Sequence, residues 1–309
     1  MTKRSLTRNW LVKPVVLLAL AILACATFLV AKKESKFSGS GPEIRVYFHC
    51  SRQTKTIPLE EYVIGVVMAE MPASFEPEAL KAQAVCARTY ALAKAYDTSS
   101  HPEGAHVCDD PNHCQAYVDP APAANAWKVN RIRSAVYATR GQVLTYRGQL
   151  ATTYFHSSCG GRTAAASEVW GREVPYLTSV ACPCPEISPY QTEEYTFTTR
   201  EILHQLGISS FLGQPEIKIT EYSETGRVRK IAIGKQVVTG AAFRRAVNLP
   251  STWFTLVRNG HQVTVRCRGY GHGVGMCQYG ANRLAQKGHS YRAILSYYFP
   301  GTELCRLAY

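Results

Sequence analysis

Residues 59–95 read LEEYVIGVVMAEMPASFEPEALKAQAVCARTYALAKA, and this stretch decides the fold of the chain. It predicts two helices joined by an elbow between Pro72 and Pro77, because proline disfavours a helix before it and is favoured in the first turn of the next. In the second helix small residues recur at helical spacing, so we expect it to pack very close to its neighbours.

Glu70 stands at this elbow, directly after an apolar run at residues 62–69. A carboxylate at the edge of a core is partly desolvated, which raises its pKa toward the range of a general acid. The alternative is a solvated glutamate at a helix end, which is the commoner use of this residue. Glu76 and Glu78 have the character of helix-start residues, where the helix dipole favours anions. The elbow therefore offers one well-placed carboxylate.

The rest of the chain mixes helices and hairpins without a βαβ alternation, which indicates an α+β fold. We expect mixed helices and antiparallel hairpins around a central groove. Little periodicity is seen over residues 162–195. Helices are predicted over residues 127–139, 199–206, 240–247, 276–287 and 290–298. Strand pairs are predicted for 143–146 with 152–155, 217–222 with 228–233, and 253–257 with 262–267, the last across an Asn-Gly turn.

The chain has 309 residues, of which 46% are hydrophobic and 18% charged, so it is long and apolar enough for one large or two ordinary globular domains. The formal net charge of +13 suits an anionic partner such as nucleic acid, a lipid surface or an anionic cell wall. Charge alone does not choose among these partners.

Residues 15–31 are 17 consecutive uncharged residues, all apolar except Thr27, with basic residues dominating the N-terminal flank. This predicts a cytoplasmic N-terminus at residues 1–9, a transmembrane signal-anchor at 10–33, a linker at 34–41 and an extracytoplasmic domain at 42–309. A cleaved signal peptide is the alternative, because Ala24-Cys25-Ala26 has the small-x-small form. The apolar run continues past this point and favours the anchor.

Residues 101–114 read HPEGAHVCDDPNHC and hold two cysteines and three histidines. Zinc takes four nitrogen or sulfur ligands in a tetrahedron, and four protein ligands would make the site structural. A disulfide between the two cysteines, with bystander histidines, is the alternative. The candidate ligands are Cys108, His113 and Cys114, with His101 or His106 as the fourth.

Eleven cysteines are many for this length. We expect a mixture of metal ligands, buried thiols and at most one disulfide. Cys182 and Cys184 flank a single proline and are too close in sequence to bond easily to each other. A cysteine nucleophile at Cys159 with His272 as its base is a further, weaker hypothesis.

The glycine-rich stretch GYGHGVGMCQYG at residues 269–280 brings backbone close to a ligand or to another segment. It lacks the spacing and the trailing lysine of a phosphate-binding loop, so a nucleotide is not expected. With IPLEEYV at 57–63, EALKAQA at 78–84 and YFHSSCGG at 154–161, it strongly resembles the stage II sporulation protein D family. The resemblance covers residues 42–305, although Cys86 and Cys277 stand where small residues are expected.

The resemblance implies a zinc-containing lytic transglycosylase of endospore-forming bacteria that cuts peptidoglycan glycan strands during engulfment. It implies that Glu70 is the catalytic acid, and it favours His101 as the fourth zinc ligand. It also implies work beside stage II sporulation proteins P, an amidase, and M, a membrane protein, and no nucleic acid. The residues that we expect to line the sugar groove are His272, Gln278, Tyr279, Ser157 and Ser158.

Glycoside hydrolases generally need two carboxylates, whereas the elbow offers only one. A single carboxylate suits a lytic transglycosylase better than a hydrolase. In a lytic transglycosylase the sugar's own C6 hydroxyl attacks C1, and one group can serve as acid and then as base. Two other functions stay open: a non-enzymatic wall-binding or scaffolding protein, and a zinc-dependent wall hydrolase, which needs an open metal position.

Overall fold

Two long helices, α1 (Leu59–Glu70) and α2 (Pro77–Ala95), lie at the centre of the computed structural model. Residues 62–67 of α1 are all buried, so this helix is enclosed rather than packed on one face. Pro77 occupies the first turn of α2, as predicted from its fixed φ. The small side chains of α2 let it pack against α1, a third helix α3 (Ala126–Ala138) and strand β4 (Gln142–Tyr146).

The structure describes residues 41–96, 101–120, 126–208 and 215–309. Residues 44–308 form one compact unit; the other unit comprises residues 1–43 and Tyr309. The remaining helices are α4 (Ala166–Trp170), α5 (Thr199–Gln205), α6 (Gly240–Ala246), α7 (Gln278–Gln286) and α8 (Tyr291–Tyr298). The other strands are β1 (Glu43–Phe48), β2 (Gln53–Pro58), β3 (Val107–Cys108), β5 (Gln149–Leu150), β6 (Phe155–His156), β7 (Glu193–Thr198), β8 (Ile217–Tyr222), β9 (Val228–Ile233), β10 (Gln236–Thr239), β11 (Phe254–Asn259), β12 (Gln262–Cys267), β13 (Met276–Cys277) and β14 (Glu303–Arg306).

A buried ion pair joins the first two helices. Arg88 of α2 is fully buried and donates to both carboxylate oxygens of Glu60, with Nη2 at 2.6 Å from Oε2 and Nε at 3.0 Å from Oε1. The same guanidinium donates to the carbonyl oxygens of Val136 and Gln142 at 3.2 and 3.1 Å. Its donors are therefore shared among α1, α3 and β4, and the charge is compensated inside the core.

Residues 193–208 and 215–267 form a second layer with its own apolar core. One antiparallel sheet has the order β11-β12-β7 and another the order β10-β9-β8. Phe243 of α6 stacks on Phe254 of β11, with ring centroids 5.6 Å apart, and both side chains are buried. The two predicted hairpins in this region, including the one across Asn259-Gly260, are confirmed by the pairing register.

The segments that precede and follow this layer in the chain pair with each other. Strand β6 pairs in parallel with β13, Phe155 opposite Met276 and His156 opposite Cys277. The predicted partner of residues 143–146 was therefore wrong, because β4 pairs with β5 and β14 instead. The helix predicted from residue 276 begins at Gln278, since its first two residues are used in this pairing. Residues 162–195, where little periodicity is seen, contain α4 and the first half of β7.

The α+β class predicted from the sequence is confirmed, with two parallel strand pairs, β1–β3 and β6–β13, beside the antiparallel ones. The predicted anchor at residues 10–33 lies outside the described residues. Among the described residues, no helix combines the length and the apolar character needed to cross a bilayer. The central groove stays a prediction.

Candidate functional site

Glu70, the last residue of α1, is half-buried at the elbow between α1 and α2. Its Oε1 accepts a hydrogen bond of 2.8 Å from the backbone N–H of Ala116. Desolvation raises the pKa of Glu70, while the Ala116 N–H and the Gln278 amide, which favour the charged form, oppose that rise. Gln278 Nε2 is buried and completes no hydrogen bond of standard geometry, so its amide is close to the carboxylate but not fully engaged. The carboxyl group has the environment of a general acid.

The loop that follows β3 packs along α1 and is hydrogen-bonded to it. Gln115 Nε2 donates to the hydroxyl of Tyr62 at 3.3 Å, and the ring of Tyr117 stacks on that of Tyr62 with centroids 5.6 Å apart and planes 7° apart. The N–H of Val118 donates to the carbonyl oxygen of Gly65 at 3.3 Å. These contacts fix the position of the N–H that binds the Glu70 carboxylate.

Gly65 leaves room for this loop, and its replacement by alanine is expected to lower stability by about 1–3 kcal/mol. An alanine Cβ would lie 2.6 Å from the Val118 carbonyl oxygen and would overlap the Tyr117 ring. On an exposed helix the same change would stabilise by about 1 kcal/mol. Thermal unfolding of Gly65→Ala measures the sign, and a higher melting temperature than the parent would contradict this packing.

Four side chains between residues 101 and 114 bring two nitrogens and two sulfurs within 4.8 Å of one another. His101 Nε2 lies 3.1 Å from Cys114 Sγ, and His113 Nδ1 lies 3.4 Å from Cys108 Sγ. His106, the alternative fourth ligand, faces β1, where its Nδ1 accepts from the Arg45 N–H at 3.2 Å. The group with His101 has the donor set and the spread of a tetrahedral zinc site, and the ligand assignment stays a prediction.

The glycine-rich loop is packed against another part of the chain rather than left open for a ligand. A Cβ at Gly269 would lie 2.7 Å from the Ser158 carbonyl oxygen, and one at Gly271 would lie 2.8 Å from the His156 Cβ. Both glycines have positive φ, +77° and +107°, which disfavours other residues. The close approach at these positions is therefore between two protein segments.

His272 is half-buried, and both of its ring nitrogens are used within the protein. Nε2 donates to the Phe155 carbonyl oxygen at 3.0 Å, and Nδ1 accepts from the Val274 N–H at 3.0 Å. Burial lowers the pKa of His272 to about 4, so the ring is neutral at pH 7. Because both ring nitrogens are engaged, His272 would contact a ligand through the face or the carbon edge of its ring. Cys159 is buried among other cysteines, and neither observation supports the nucleophile hypothesis.

The other predicted groove residues differ in accessibility. Ser158 is buried and its hydroxyl lies 2.9 Å from that of Ser188, whereas Ser157 is only half-buried. Tyr279 is half-buried beside Gln278, and its backbone N–H donates to the Ser157 carbonyl oxygen at 3.1 Å. Gln278 and Tyr279 are therefore brought next to the serine loop, while the Ser158 side chain points into the interior.

Two aromatic groups beside these residues escaped the sequence-based prediction. Trp170, 41% exposed, lies with its ring 4.6 Å from Tyr154 and 5.3 Å from His272. Tyr270, 48% exposed, lies 4.8 Å from Tyr190, whose ring is also 6.0 Å from Tyr279. Exposed rings in such groups offer flat apolar faces for stacking on a ligand. Trp170 carried no signal because its stretch shows no periodicity.

Comparison with known proteins agrees with this arrangement of motifs. Residues 48–146 match the family model described as SpoIID, stage II sporulation protein. Stage II sporulation protein D of Bacillus subtilis (strain 168) is 38% identical over 289 residues, covering 91% of this chain and 84% of that protein. The protein of the same name from Bacillus amyloliquefaciens is 35% identical over 279 residues, covering 88% of this chain and 81% of that protein. An amidase enhancer of Bacillus subtilis is 31% identical over 294 residues, but this chain covers only 40% of its length. The chain belongs to the stage II sporulation protein D family.

Proposed function

We propose that the protein is a peptidoglycan lytic transglycosylase that cleaves the bond between N-acetylmuramic acid and N-acetylglucosamine. The observation that carries the proposal is Glu70, a single carboxyl group with a raised pKa at the elbow of the family's most prominent motif. Its carboxylate accepts from Ala116 and is approached by Gln278, so three separate parts of the chain converge on it.

In this reaction Glu70 acts twice. Protonated, it donates its proton to the bridging oxygen, and the bond from that oxygen to C1 breaks. As a carboxylate, it then takes the proton from the C6 hydroxyl of the same N-acetylmuramic acid, whose oxygen attacks C1. The product carries a 1,6-anhydro end and no water is consumed, so a second carboxylate to activate water is not required.

The sugar-binding residues proposed here are His272, Gln278, Tyr279, Ser157 and Ser158. Tyr279, half-buried in the first turn of helix α7, can offer a hydroxyl and an aromatic face to neutral sugars, while Gln278, 4% exposed, lies beside the Glu70 carboxylate. His272 would contribute its ring, and the serine loop would contribute mainly the Ser157 hydroxyl, because the backbone N–H and carbonyl oxygen of Ser158 are both bonded to Tyr270. The neighbouring exposed ring of Trp170 suits stacking on a further sugar.

We also propose that His101, Cys108, His113 and Cys114 hold a structural zinc ion. The donor set fits the ion, because two nitrogens and two sulfurs lie within 4.8 Å of one another, and tetrahedral zinc takes four such ligands. When bound, zinc would supply a rigid cross-link within the loop. Ala116, two residues after the last ligand, then presents its N–H to Glu70. A wall hydrolase that uses zinc as a Lewis acid is disfavoured by this full ligand set.

The cellular setting is proposed from the family and from the N-terminal sequence. Residues 10–33 would anchor the protein in the cell membrane as a single pass, with the N-terminus in the cytoplasm and the catalytic domain facing the wall or the space between membranes. The partners would be glycan strands already stripped of peptides and the stage II sporulation proteins P and M. A basic surplus suits an anionic wall.

Mass spectrometry of the products from stripped glycan strands tests the reaction. We expect fragments with a mass lower by one water than the products of hydrolysis, released by the full-length protein. Fragments of the hydrolytic mass would replace the proposed reaction by hydrolysis. The absence of any fragment, with strands still bound, would favour a scaffolding protein.

The pH dependence of this activity is expected to follow Glu70. Its raised pKa extends the protonated form toward neutral pH, so kcat/KM stays high at low pH and falls about tenfold per unit above that pKa. Gln278→Leu removes a group that lowers the pKa, so the falling limb should move to higher pH. Gln286→Leu, at the exposed end of the same helix, serves as the control. A limb that moves to lower pH in Gln278→Leu would contradict this role.

A further inference from the structure

Four cysteines outside the candidate zinc site at residues 101–114 lie close together in the core. Cys159, Cys182, Cys184 and Cys277 are all buried, and their sulfur atoms lie within 4.8 Å of one another. They come from the loop after β6, from the segment before β7 and from the end of β13. We propose that these four cysteines bind one zinc ion as a second, all-sulfur structural site.

The distances fit a mononuclear tetrahedral site. Zinc–sulfur bonds of about 2.3 Å place the sulfurs of a tetrahedron about 3.8 Å apart. The sulfurs of Cys159 and Cys184 lie 3.4 Å apart, and no pair exceeds 4.8 Å. A cluster with several irons would hold its cysteines farther apart, because irons and sulfides would stand between them.

The surroundings suit sulfurs that carry negative charge. The backbone N–H groups of Cys159 and Gly280 point at Cys277 Sγ, with nitrogen-to-sulfur distances of 3.3 and 3.4 Å. The hydroxyl oxygens of Ser158 and Tyr298 lie 3.6 Å from Cys184 Sγ and 3.1 Å from Cys182 Sγ. Such donors around metal-bound thiolates orient them and offset their charge.

A buried cation beside the cysteines also favours a negatively charged metal–thiolate site. Arg227 is 4% exposed and donates from Nη2 to the Cys159 carbonyl oxygen at 3.2 Å and to that of Arg162 at 2.7 Å. Among the described residues no carboxylate pairs with it directly, because Thr225 stands between Arg227 and Glu168 and bonds to both. Four thiolates around Zn²⁺ carry a net charge of about −2, which would compensate this cation.

Disulfides are the competing explanation, and the arrangement favours metal over them. Four cysteines allow three pairings, and a disulfide brings two sulfurs to about 2.05 Å while leaving the other two aside. Here each sulfur is close to all three others. Cys182 and Cys184 approach the cluster from either side of one proline, as neighbouring ligands of one ion do.

A metal ion at this position would join the serine loop to the start of helix α7. Cys277 precedes Gln278, the residue beside the Glu70 carboxylate, and Cys159 follows Ser157 and Ser158. The ion would therefore hold both predicted groove segments in register. This inference concerns the fold and does not depend on the reaction proposed for Glu70.

Metal analysis of the full-length chain, purified without chelators, tests the second site. Cys182→Ser/Cys184→Ser is expected to lose one equivalent of zinc, whereas Cys50→Ser, a change at an exposed cysteine, should lose none. X-ray absorption of Cys108→Ser/Cys114→Ser, which leaves the buried cluster intact, should record four sulfur neighbours at about 2.3 Å from zinc.

X-ray absorption of the parent protein tests the second site without relying on the folding of any variant. With both sites filled its zinc has an average of about three sulfur neighbours, against about two if only the loop binds and about four if only the cluster binds. An average of two, or a zinc content unchanged in Cys182→Ser/Cys184→Ser, would overturn the inference. So would an intact mass, measured without reductant, that is lower by two hydrogens for each disulfide traced to these cysteines.

Discussion

Glu70→Gln is expected to lower the rate of anhydro-product release by about 10³-fold, because an amide can neither donate a proton to the leaving oxygen nor accept one from the C6 hydroxyl. The glutamine side chain keeps an oxygen that can accept the 2.8 Å hydrogen bond from Ala116. The loop after β3 therefore has no reason to move. Product release by mass spectrometry and binding of stripped strands, measured together, separate lost chemistry from lost binding.

Stability distinguishes this result from misfolding. A carboxyl group whose folded pKa is raised favours the folded state below its unfolded pKa and costs stability as the pH rises through the folded value. Glu70→Gln should therefore melt no lower than the parent at pH 7. Glu61→Gln is the matched control, since Glu61 lies on the same helix and contacts Tyr137 and Arg133 instead. Equal product release by Glu70→Gln and the parent would refute the assignment.

Arg88→Met is expected to be the most destabilising single change, by about 3–5 kcal/mol, because it leaves the carboxylate of Glu60 buried without its cation. The Arg88 side chain is 0% exposed and that of Glu60 is 9% exposed. The carbonyl oxygens of Val136 and Gln142 also lose the hydrogen bonds that Arg88 donates to them. Urea unfolding, followed at equal protein concentrations, measures the loss.

Two further variants show whether burial is the cause. Arg266→Met breaks an ion pair with Glu194 of similar length, 2.7 Å, but both side chains are more than half exposed, so its cost should be about 1 kcal/mol or less. Glu60→Leu/Arg88→Met should recover part of the loss, because no unpaired charge remains. A double variant less stable than Arg88→Met alone would contradict that explanation.

The sequence predicted best those features that depend on neighbours along the chain. Both central helices and the elbow followed from proline placement and apolar periodicity, and the Asn259-Gly260 hairpin followed from its turn residues. The strands β3, β6 and β13 escaped prediction because each has two residues and exists only through its partner. Two residues are too few to produce a periodic pattern.

The sequence could nominate candidate site residues but not their long-range contacts. Glu70 and the four candidate zinc ligands lie in recognisable stretches, but the N–H that binds Glu70 is 46 residues away and belongs to alanine, a residue without a distinctive side chain. The buried cysteines were counted but could not be grouped, because the sulfurs that meet are up to 118 residues apart in the chain. Spacing identifies a metal site only when its ligands are local.

The elbow after Glu70 is held by residues of the last two helices, so it can form completely only after these helices have been synthesised. The N–H of Glu76 donates to Asn282 at 2.8 Å, and Glu78 accepts from the N–H of Tyr291 at 2.7 Å. A nascent polypeptide therefore carries Glu70 and Ala116 early but lacks the partners of Glu76 and Glu78 until helices α7 and α8 leave the ribosome. If Glu70 acts as proposed, chains that stop before these helices would lack two of the bonds that hold the elbow. The elbow would then be complete only when the last two helices have folded onto it.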